Sequence, residues 1–410
     1  MERVILHSDL NNFYASVECN DNPGLKNYPV AVCGDEELRH GVVLAKNYIA
    51  KSYGVKTGDV IWQAKQKCPF LKIVKADFSK YMDYSQRVRK IYEEYTDMVE
   101  NFGIDECWLD CTNSTNLFGD GKTIAYTLKE RIKKEVGLTV SVGVSFNKVF
   151  AKLGSDYKKP DAVTIISKSN FKDIVYPLDI KDLLYIGNAT EKKLNKVGIY
   201  HIGDIERVGE KFLKNLLGKW GEYIYSFATG TENSEVKNIF ATSQIKSIGN
   251  SITLPKDILT TNEFYAVLST LAQSVASRLK KRQLYTKKIG VGLRYNNMFS
   301  HYSENTLKSC ISSYSQILNE GINVLDKARL NLPVRSISLH AGTLCEKEYF
   351  QDDFFGEYEK SKKQQKIDLA IEKIRARYGY NSVRPAVSLL SDVRDKDIEH
   401  SNIIHPHGFF

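Results

Sequence analysis

A short apolar run, Val4-Ile5-Leu6, passes into His7-Ser8-Asp9-Leu10, the pattern of a buried strand that ends on an acidic residue. No cleavage-site pattern follows, so the start reads as a first strand and not as a signal peptide. Short helical and strand patterns mix over residues 11–76, and apolar spacing predicts a helix over 80–100. Between Val99 and Cys111, apolar and polar residues alternate on both sides of Gly103-Ile104-Asp105-Glu106. That predicts a β-hairpin with carboxylates at its bend. A helix over 121–136, a strand over 139–144 and a helix from Asn147 follow. The first 165 residues therefore read as a mixed α/β domain whose acidic residues gather at strand ends.

Residues 166–235 read as helices with short loops. Ile186-Gly187-Asn188, Lys192-Lys193-Leu194 and Val197-Gly198-Ile199 have the spacing of a helix–hairpin–helix, whose glycine turn lets backbone N–H groups approach a phosphate. An ordinary turn between two helices has the same spacing. Over 241–345 the pattern is a strand (244–254), a helix (263–284), two strands (287–295 and 298–301), a helix (306–329) and a strand (334–339). This is the β-α-β-β-α-β order of a split sandwich. The tail carries Phe350-Gln351-Asp352-Asp353-Phe354-Phe355, a charged linker and a helix expected over 366–378. His400, His405 and His407 near the end read as part of a tail and not as a metal tract.

Composition adds to this picture. At 410 residues the chain exceeds a single core, so two to four domains are expected. The formal net charge is +9, and it is concentrated. Residues 241–345 hold thirteen Lys and Arg against five Asp and Glu, a net +8. Such a basic domain expects a polyanion, nucleic acid before a membrane surface. Lys280, Lys281, Arg282, Lys287, Lys288 and Arg294 are its candidate phosphate contacts, and Gly187, Lys192, Lys193 and Gly198 those of the helical region. The bland reading of either cluster is a solvated charged face. No run of eighteen apolar residues occurs, so no membrane span is expected. Seven scattered cysteines without a Cys-x-x-Cys pair predict neither a disulfide framework nor a zinc site, and fit a reducing cytoplasm.

The chemistry rests on three carboxylates. Phosphoryl transfer to a sugar hydroxyl uses two divalent metals about 4 Å apart, and Mg²⁺ takes a few carboxylates while keeping positions for water and phosphate. Asp9 at a strand end, with Asp105 and Glu106 at a hairpin bend, supplies such a set if the two strands are neighbours; the Leu10 carbonyl could add a ligand. Asn116-Leu117-Phe118-Gly119-Asp120-Gly121-Lys122-Thr123 imitates a phosphate-binding P-loop, but Asn116 replaces the first glycine and no parallel βαβ order surrounds it. No Gly-x-Ser-x-Gly or His-Glu-x-x-His motif is present, which argues against the common hydrolases.

These residues resemble those of the Y-family DNA polymerases, in particular the bacterial DNA polymerase IV-like branch. The motifs are Asp9-Leu10-Asn11-Asn12-Phe13-Tyr14-Ala15-Ser16-Val17-Glu18, Gly103-Ile104-Asp105-Glu106-Cys107-Trp108-Leu109-Asp110, and Ser141-Val142-Gly143-Val144-Ser145-Phe146-Asn147-Lys148 with Ala151-Lys152 and Lys159-Pro160. They run in one order over about residues 1–345. The resemblance implies an α+β multidomain, right-hand polymerase architecture. Its parts would be a mixed-sheet palm (1–10 and 78–165), small fingers (11–77), a helical thumb with the helix–hairpin–helix (166–235) and a β-α-β-β-α-β little finger (236–345), followed by a C-terminal tail. It implies template-directed, low-fidelity addition of dNTPs past damaged bases, with primer–template DNA as partner and a monomer as the working form.

Asp9, Leu10, Asp105 and Glu106 would hold two Mg²⁺ ions, with Mn²⁺ able to substitute. Tyr14 would be the steric gate against a 2′-hydroxyl, with Phe13 beside it. Tyr48, Lys51 and Lys159 would bind the triphosphate. Gln351, Phe354 and Phe355 resemble a sliding-clamp peptide. Gly103, Asn11 and Lys51 depart from the usual Ser, Asp and Arg, and Leu44 and Lys46 from smaller residues. Two rival readings remain: a two-metal nucleotidyl cyclase on a palm-like sheet, which would leave the basic domain without a task, and a non-catalytic protein that binds primed DNA, which the intact carboxylate trio disfavours.

Overall fold

A computed structural model describes residues 2–35, 41–241, 244–326, 333–346, 357–379 and 382–387. The described residues form two compact units, the first chiefly within Met1–Cys33 and Val42–Thr242 and the second chiefly within Ser243–His405. In the first unit, β1 (Ile5–Leu10) is followed by α1 (Phe13–Asp21) and a small sheet of β2 (Val30–Cys33), β3 (Val43–Lys46) and β4 (Lys72–Lys75). Helices α2 (Tyr48–Ser52) and α3 (Ile61–Lys67) lie between β3 and β4. The chain returns through α4 (Phe78–Glu93) to β5 (Val99–Asn101) and β6 (Glu106–Asp110). Then come α5 (Thr115–Phe118), α6 (Gly121–Glu135), β7 (Val140–Ser145), α7 (Lys148–Tyr157) and β8 (Val163–Ile166).

The main sheet has the order β5-β6-β1-β7-β8, with β1 central and antiparallel to both neighbours. All six residues of β1 are buried, because helices cover both faces of the sheet. Leu6 and Leu10 pack with Tyr81, Val88 and Ile91 of α4 and Ile124, Leu128 and Ile132 of α6. The opposite face, carrying His7 and Asp9, lies under α7. Each of these helices starts at a side-chain cap: Asp77, Asp120 and Asn147 accept from the N–H groups of Lys80, Thr123 and Phe150.

The helix expected over 80–100 ends at Glu93, although the apolar spacing continues. Val99 pairs instead with Leu109, and Thr96 Oγ1 donates to the Asp110 carbonyl at 2.8 Å, so strand pairing wins over helical period. Helices α8 (Phe171–Val175), α9 (Asn188–Asn195), α10 (Gly203–Val208), α11 (Glu210–Leu217) and α12 (Lys219–Thr229) form a cluster whose core includes Val149, Phe150 and Leu153 of α7.

The second unit comprises β9 (Ser247–Ile258), α13 (Thr261–Lys281), β10 (Tyr285–Tyr295), β11 (Ser300–Ile311), α14 (Tyr314–Asp326) and β12 (Val334–Cys345). Its antiparallel sheet has the order β11-β10-β12-β9. Ile289, Val291 and Leu293 of β10 face Leu268, Leu271 and Val275 of α13 and Ile317 of α14. A capping box between Thr260 and Glu263 starts α13.

The expected strand–helix division at 301 and 306 is corrected: β11 runs on to Ile311, its alternating residues paired with β10, and α14 begins only at Tyr314, where Ser313 Oγ accepts from the Gln316 N–H. The tail helix is longer than expected and becomes α15 (Glu357–Tyr378). Its Asp368 is buried, accepting from Lys280 Nζ at 2.7 Å and from the Tyr314 N–H at 3.2 Å. No helix among the described residues is long and apolar enough to cross a membrane.

Candidate active site

Strand register places Asp9 opposite Glu106 on one side and Ser141 on the other. The hairpin bend is pinned to β1 by the Leu10 N–H, which donates to the Asp105 carbonyl at 3.0 Å. Gly103 supports the bend with a φ of 126°, a region in which side chains are strained. Asp9, Asp105 and Glu106 thus gather at one edge of the sheet. Burial, then the charges of Glu106 and Asp9, push the Asp105 carboxyl up from 3.8 to about 7. Burial, then Glu106, raises Asp9 as well.

Two ammonium groups answer this negative charge. Lys152 Nζ lies 2.9 Å from Glu106 Oε2 and 3.2 Å from Asp9 Oδ2, and also 3.3 Å from Asp156 Oδ2. Lys159 Nζ lies 2.7 Å from Asp9 Oδ2 and 2.7 Å from Asp156 Oδ1. Burial pulls the pKa of Lys152 down, but Glu106, Asp9 and Asp156 outweigh it and the net shift is upward. Among the described residues, no three His, Cys, Asp or Glu side chains converge as a ready-made metal group in this arrangement.

Helix α7 reaches these carboxylates because two glycines let it lie directly on the sheet. A Cβ at Gly143 would overlap the Ala151 carbonyl oxygen and stand 2.5 Å from Ser155 N, and one at Gly154 would stand 3.0 Å from Gly143 Cα. That close seat brings Ser155 onto His7, with Ser155 Oγ 2.8 Å from His7 Nδ1. His7 is fully buried, and its pKa is well below the ordinary value, first through burial and then through Lys152. Asn11, also buried, donates from Nδ2 to Ser141 Oγ at 2.9 Å and accepts from the Asp161 N–H at 2.8 Å. It thereby ties the end of β1 to the loop that carries Lys159.

Phe13 is core, while Tyr14 is partly exposed and stacks on Tyr81 at 4.4 Å. Burial, then the charge of Asp105, pushes the Tyr14 hydroxyl up to about 12, so it remains an un-ionised ring near the carboxylates. Tyr48 opens α2 behind the Asn47 cap; burial raises its pKa, and Lys159 and Asp9 are the charges that act on it. The Lys51 ammonium lies 5.5 Å from the centre of the Tyr48 ring. Tyr14, Tyr48 and Lys159 therefore border the trio, and Lys51 stands beside Tyr48.

The basic candidates divide. Gly187 is the exposed N-cap of α9, Lys192 and Lys193 are exposed on that helix, and Gly198 turns the chain with a φ of 79°. A 3-10 turn, Ile180–Asp182, precedes Gly187, and beyond Gly198 the chain enters α10. In the second unit Lys281, Arg282 and Arg294 are exposed and Lys287 is half-buried. Lys288 pairs with Glu304 at 2.6 Å and Lys280 with the buried Asp368, so these two are committed within the unit.

The P-loop imitation is a capped helix start: the Asp120 carboxylate itself occupies the place an anion would take. Gln351, Phe354 and Phe355 lie outside the described residues, as do His400, His405 and His407. Sequence reasoning had assigned no role to Lys152, Asp156, His7 or Ser155; the i,i+4 spacing of Lys152 and Asp156 was the available signal.

The model of the impB/mucB/samB family matches residues 8–156, and that of the family's C-terminal domain matches residues 245–354. A protein named DNA polymerase IV from Acetivibrio thermocellus is 46% identical over 391 residues, covering 95% of this chain and 98% of that protein. DNA polymerase IV 1 of Bacillus subtilis is 35% identical, covering 94% of this chain and 93% of its own. Among solved structures, a chimeric Y-family DNA polymerase superposes with a TM-score of 0.73 at 26% identity, covering 84% of this chain and all of that one.

Proposed function

The chain belongs to the impB/mucB/samB family of Y-family DNA polymerases, and from that premise we infer that it is a template-directed, translesion-type DNA polymerase. The observation that carries the reading is the gathering of Asp9, Asp105 and Glu106 beside two lysines at one sheet edge. In this reading the main sheet with its helices is the palm (1–10 and 78–165), the small sheet the fingers (11–77), the helical cluster the thumb (166–235) and 236–345 the little finger.

The residues fit divalent cations. The carboxyls of Asp9 and Asp105 are raised by burial and mutual repulsion, a strain that added positive charge relieves. Asp9, Asp105 and Glu106, with the Leu10 carbonyl, would hold two Mg²⁺ ions. When bound, these would acidify the primer 3′-hydroxyl and neutralise the triphosphate. Lys159, now on Asp9, is placed to transfer its charge to the incoming phosphates, joined by Lys51 and the Tyr48 hydroxyl. Tyr14, braced by Tyr81, would lie under the sugar and collide with a 2′-hydroxyl. Lys281, Arg282, Lys287 and Arg294, with Gly187, Lys192, Lys193 and Gly198, would meet the DNA backbone. A sliding clamp is a further proposed partner, on the sequence of 351–355 alone.

The test is primer extension by the pure protein with Mg²⁺ and dNTPs, opposite intact, abasic and bulky template bases. Extension is expected on all three kinds of template; no extension on any primed template would remove the reading. Tyr14→Ala is expected to raise relative use of rNTPs by roughly one to two orders of magnitude, the scale on which pocket sterics discriminate. Unchanged discrimination would show that Tyr14 is not the gate.

A further inference from the structure

Helix α1 carries Tyr14 and, one turn further on, Glu18, so the two side chains leave the same face. Both reach one residue of α4, the fully buried Tyr81. The Tyr14 ring stacks on the Tyr81 ring, with centroids 4.4 Å and planes 16° apart. The Glu18 carboxylate, itself buried, accepts from the Tyr81 hydroxyl at 2.7 Å. Its other oxygen, Oε2, accepts from Lys80 Nζ at 3.0 Å, so the carboxylate is charge-paired and the phenol is the donor. Burial, then Glu18, raises the pKa of that phenol, which keeps its proton in place. Burying a carboxylate is costly, and an apolar pair would join two helices without that cost. What the Glu18–Tyr81 bond adds is direction.

Resting on the reading of Tyr14 as the gate, we propose that Glu18 is a positioning residue for sugar selection: by anchoring the Tyr81 hydroxyl it fixes the plane on which Tyr14 stacks, and with it the clearance at the sugar 2′ carbon. Stacked rings slide over one another at little cost, because many weak contacts are exchanged for similar ones. A hydrogen bond weakens steeply once its angle is lost. Phe78 meets Tyr14 edge-on at 5.8 Å and Tyr81 edge-on at 5.9 Å, and Phe13 stands 5.5 Å from Tyr14. These contacts keep the rings together, while the bond to Glu18 fixes the Tyr81 ring within its own plane. A gate excludes a hydroxyl by contact distance, so small displacements of the Tyr14 ring change the repulsion sharply. The next turn of both helices carries a second rung, the Tyr84 hydroxyl donating to Asp21 Oδ1 at 2.5 Å. It joins the same two helices but ends on Asp21, which makes it an internal control.

The test is single-nucleotide insertion by the full chain, read as the ratio of kcat/KM for a dNTP to that for the matching rNTP. Tyr81→Phe deletes the hydroxyl and keeps the ring. The ratio is expected to fall by about fivefold through faster rNTP insertion, a fraction of what pocket fit can discriminate. Glu18→Ala should lower it to a similar extent, and the two changes together should add nothing further. Glu18→Gln keeps an acceptor for the phenol and is expected to hold the parent's ratio. Tyr84→Phe removes the same atom one turn away and should leave the ratio unchanged. In a Tyr14→Ala background, Tyr81→Phe should have no effect on it. An unchanged ratio in Tyr81→Phe, or dNTP and rNTP insertion falling together, would overturn the assignment. So would an equal change in Tyr84→Phe, or a further loss on top of Tyr14→Ala. An unresponsive Tyr81→Phe beside a responsive Tyr14→Ala sinks this inference and leaves the gate standing; an unresponsive Tyr14→Ala removes both.

Discussion

Asp105→Asn is expected to lower primer extension by about three orders of magnitude or more while making the metal-free protein more stable at neutral pH. The activity loss follows from removing one of three carboxylates that would hold the cations, where the neutral amide binds Mg²⁺ poorly. The stability gain follows from linkage. In the folded metal-free protein the Asp105 carboxyl is raised from 3.8 to about 7, first by burial and then by Glu106 and Asp9. Below pH 3.8 the group is protonated in both folded and unfolded chains, and it costs nothing. As pH rises from there toward 7, the unfolded chain releases its proton first, and the cost of ionising the buried group grows until it is complete above pH 7.

At about 1.4 kcal/mol per unit, the full cost is on the order of 2–4 kcal/mol, nearer the lower value because the carboxylate keeps a partly exposed edge. Asn escapes it. Thermal unfolding in chelator should therefore show the variant melting above the parent at pH 8, with the gap closing toward pH 4. A gap independent of pH would mean that Asp105 carries no buried charge, and retained extension would remove it from the site.

This opposition between activity and stability explains why parts of the site were legible in the sequence. Asp9, Asp105 and Glu106 sit among Leu10, Ile104, Cys107 and Leu109, and charged residues set in apolar strands stand out because burial penalises them. What the strands alone could not reveal was their order. Only when β1 lies between β6 and β7 does Asp9 face Glu106 and Ser141.

Lys152, Ser155 and His7 were hidden for a related reason. Each is unremarkable in its own element, and their meeting depends on how closely α7 lies on β7. In the second unit, strand and helix were confused at 306–311, where Leu307, Cys310 and Ile311 carry spacing compatible with either; pairing to β10 decides it. The basic cluster shows the same limit. Lys280 reads like its neighbours along the chain, yet Asp368, 88 residues away, takes its charge.

Gly143→Ala is the substitution expected to disturb most through geometry alone. The added Cβ would overlap the Ala151 carbonyl oxygen and lie 2.5 Å from Ser155 N and 2.8 Å from the Gly154 carbonyl carbon. All three are backbone atoms of α7, so no side chain can rotate aside. Restoring ordinary separation would require the helix to retreat from β7 by the order of 1 Å. Val142 and Val144 anchor the other face of β7 in the main core, so the strand is not free to yield instead. Overpacking of this kind costs about 1–3 kcal/mol, which for a unit of this size lowers Tm by several degrees.

The functional cost should be larger than the stability cost suggests. α7 carries Lys152, Ser155 and Asp156, and its end leads to Lys159; every charge that steadies Asp9 and Glu106 would retreat with it. A misplacement near 1 Å at a reacting centre is worth roughly a hundredfold in rate. Primer extension is thus expected to fall by about two orders of magnitude in a protein that still unfolds cooperatively. The loss should appear in kcat more than in the KM for DNA, because the second unit's basic surface is built on separate strands. Equal loss in DNA affinity, or an alanine tolerated without change in rate, would show that α7 does not set the positions of Asp9 and Glu106 on which the proposed chemistry depends.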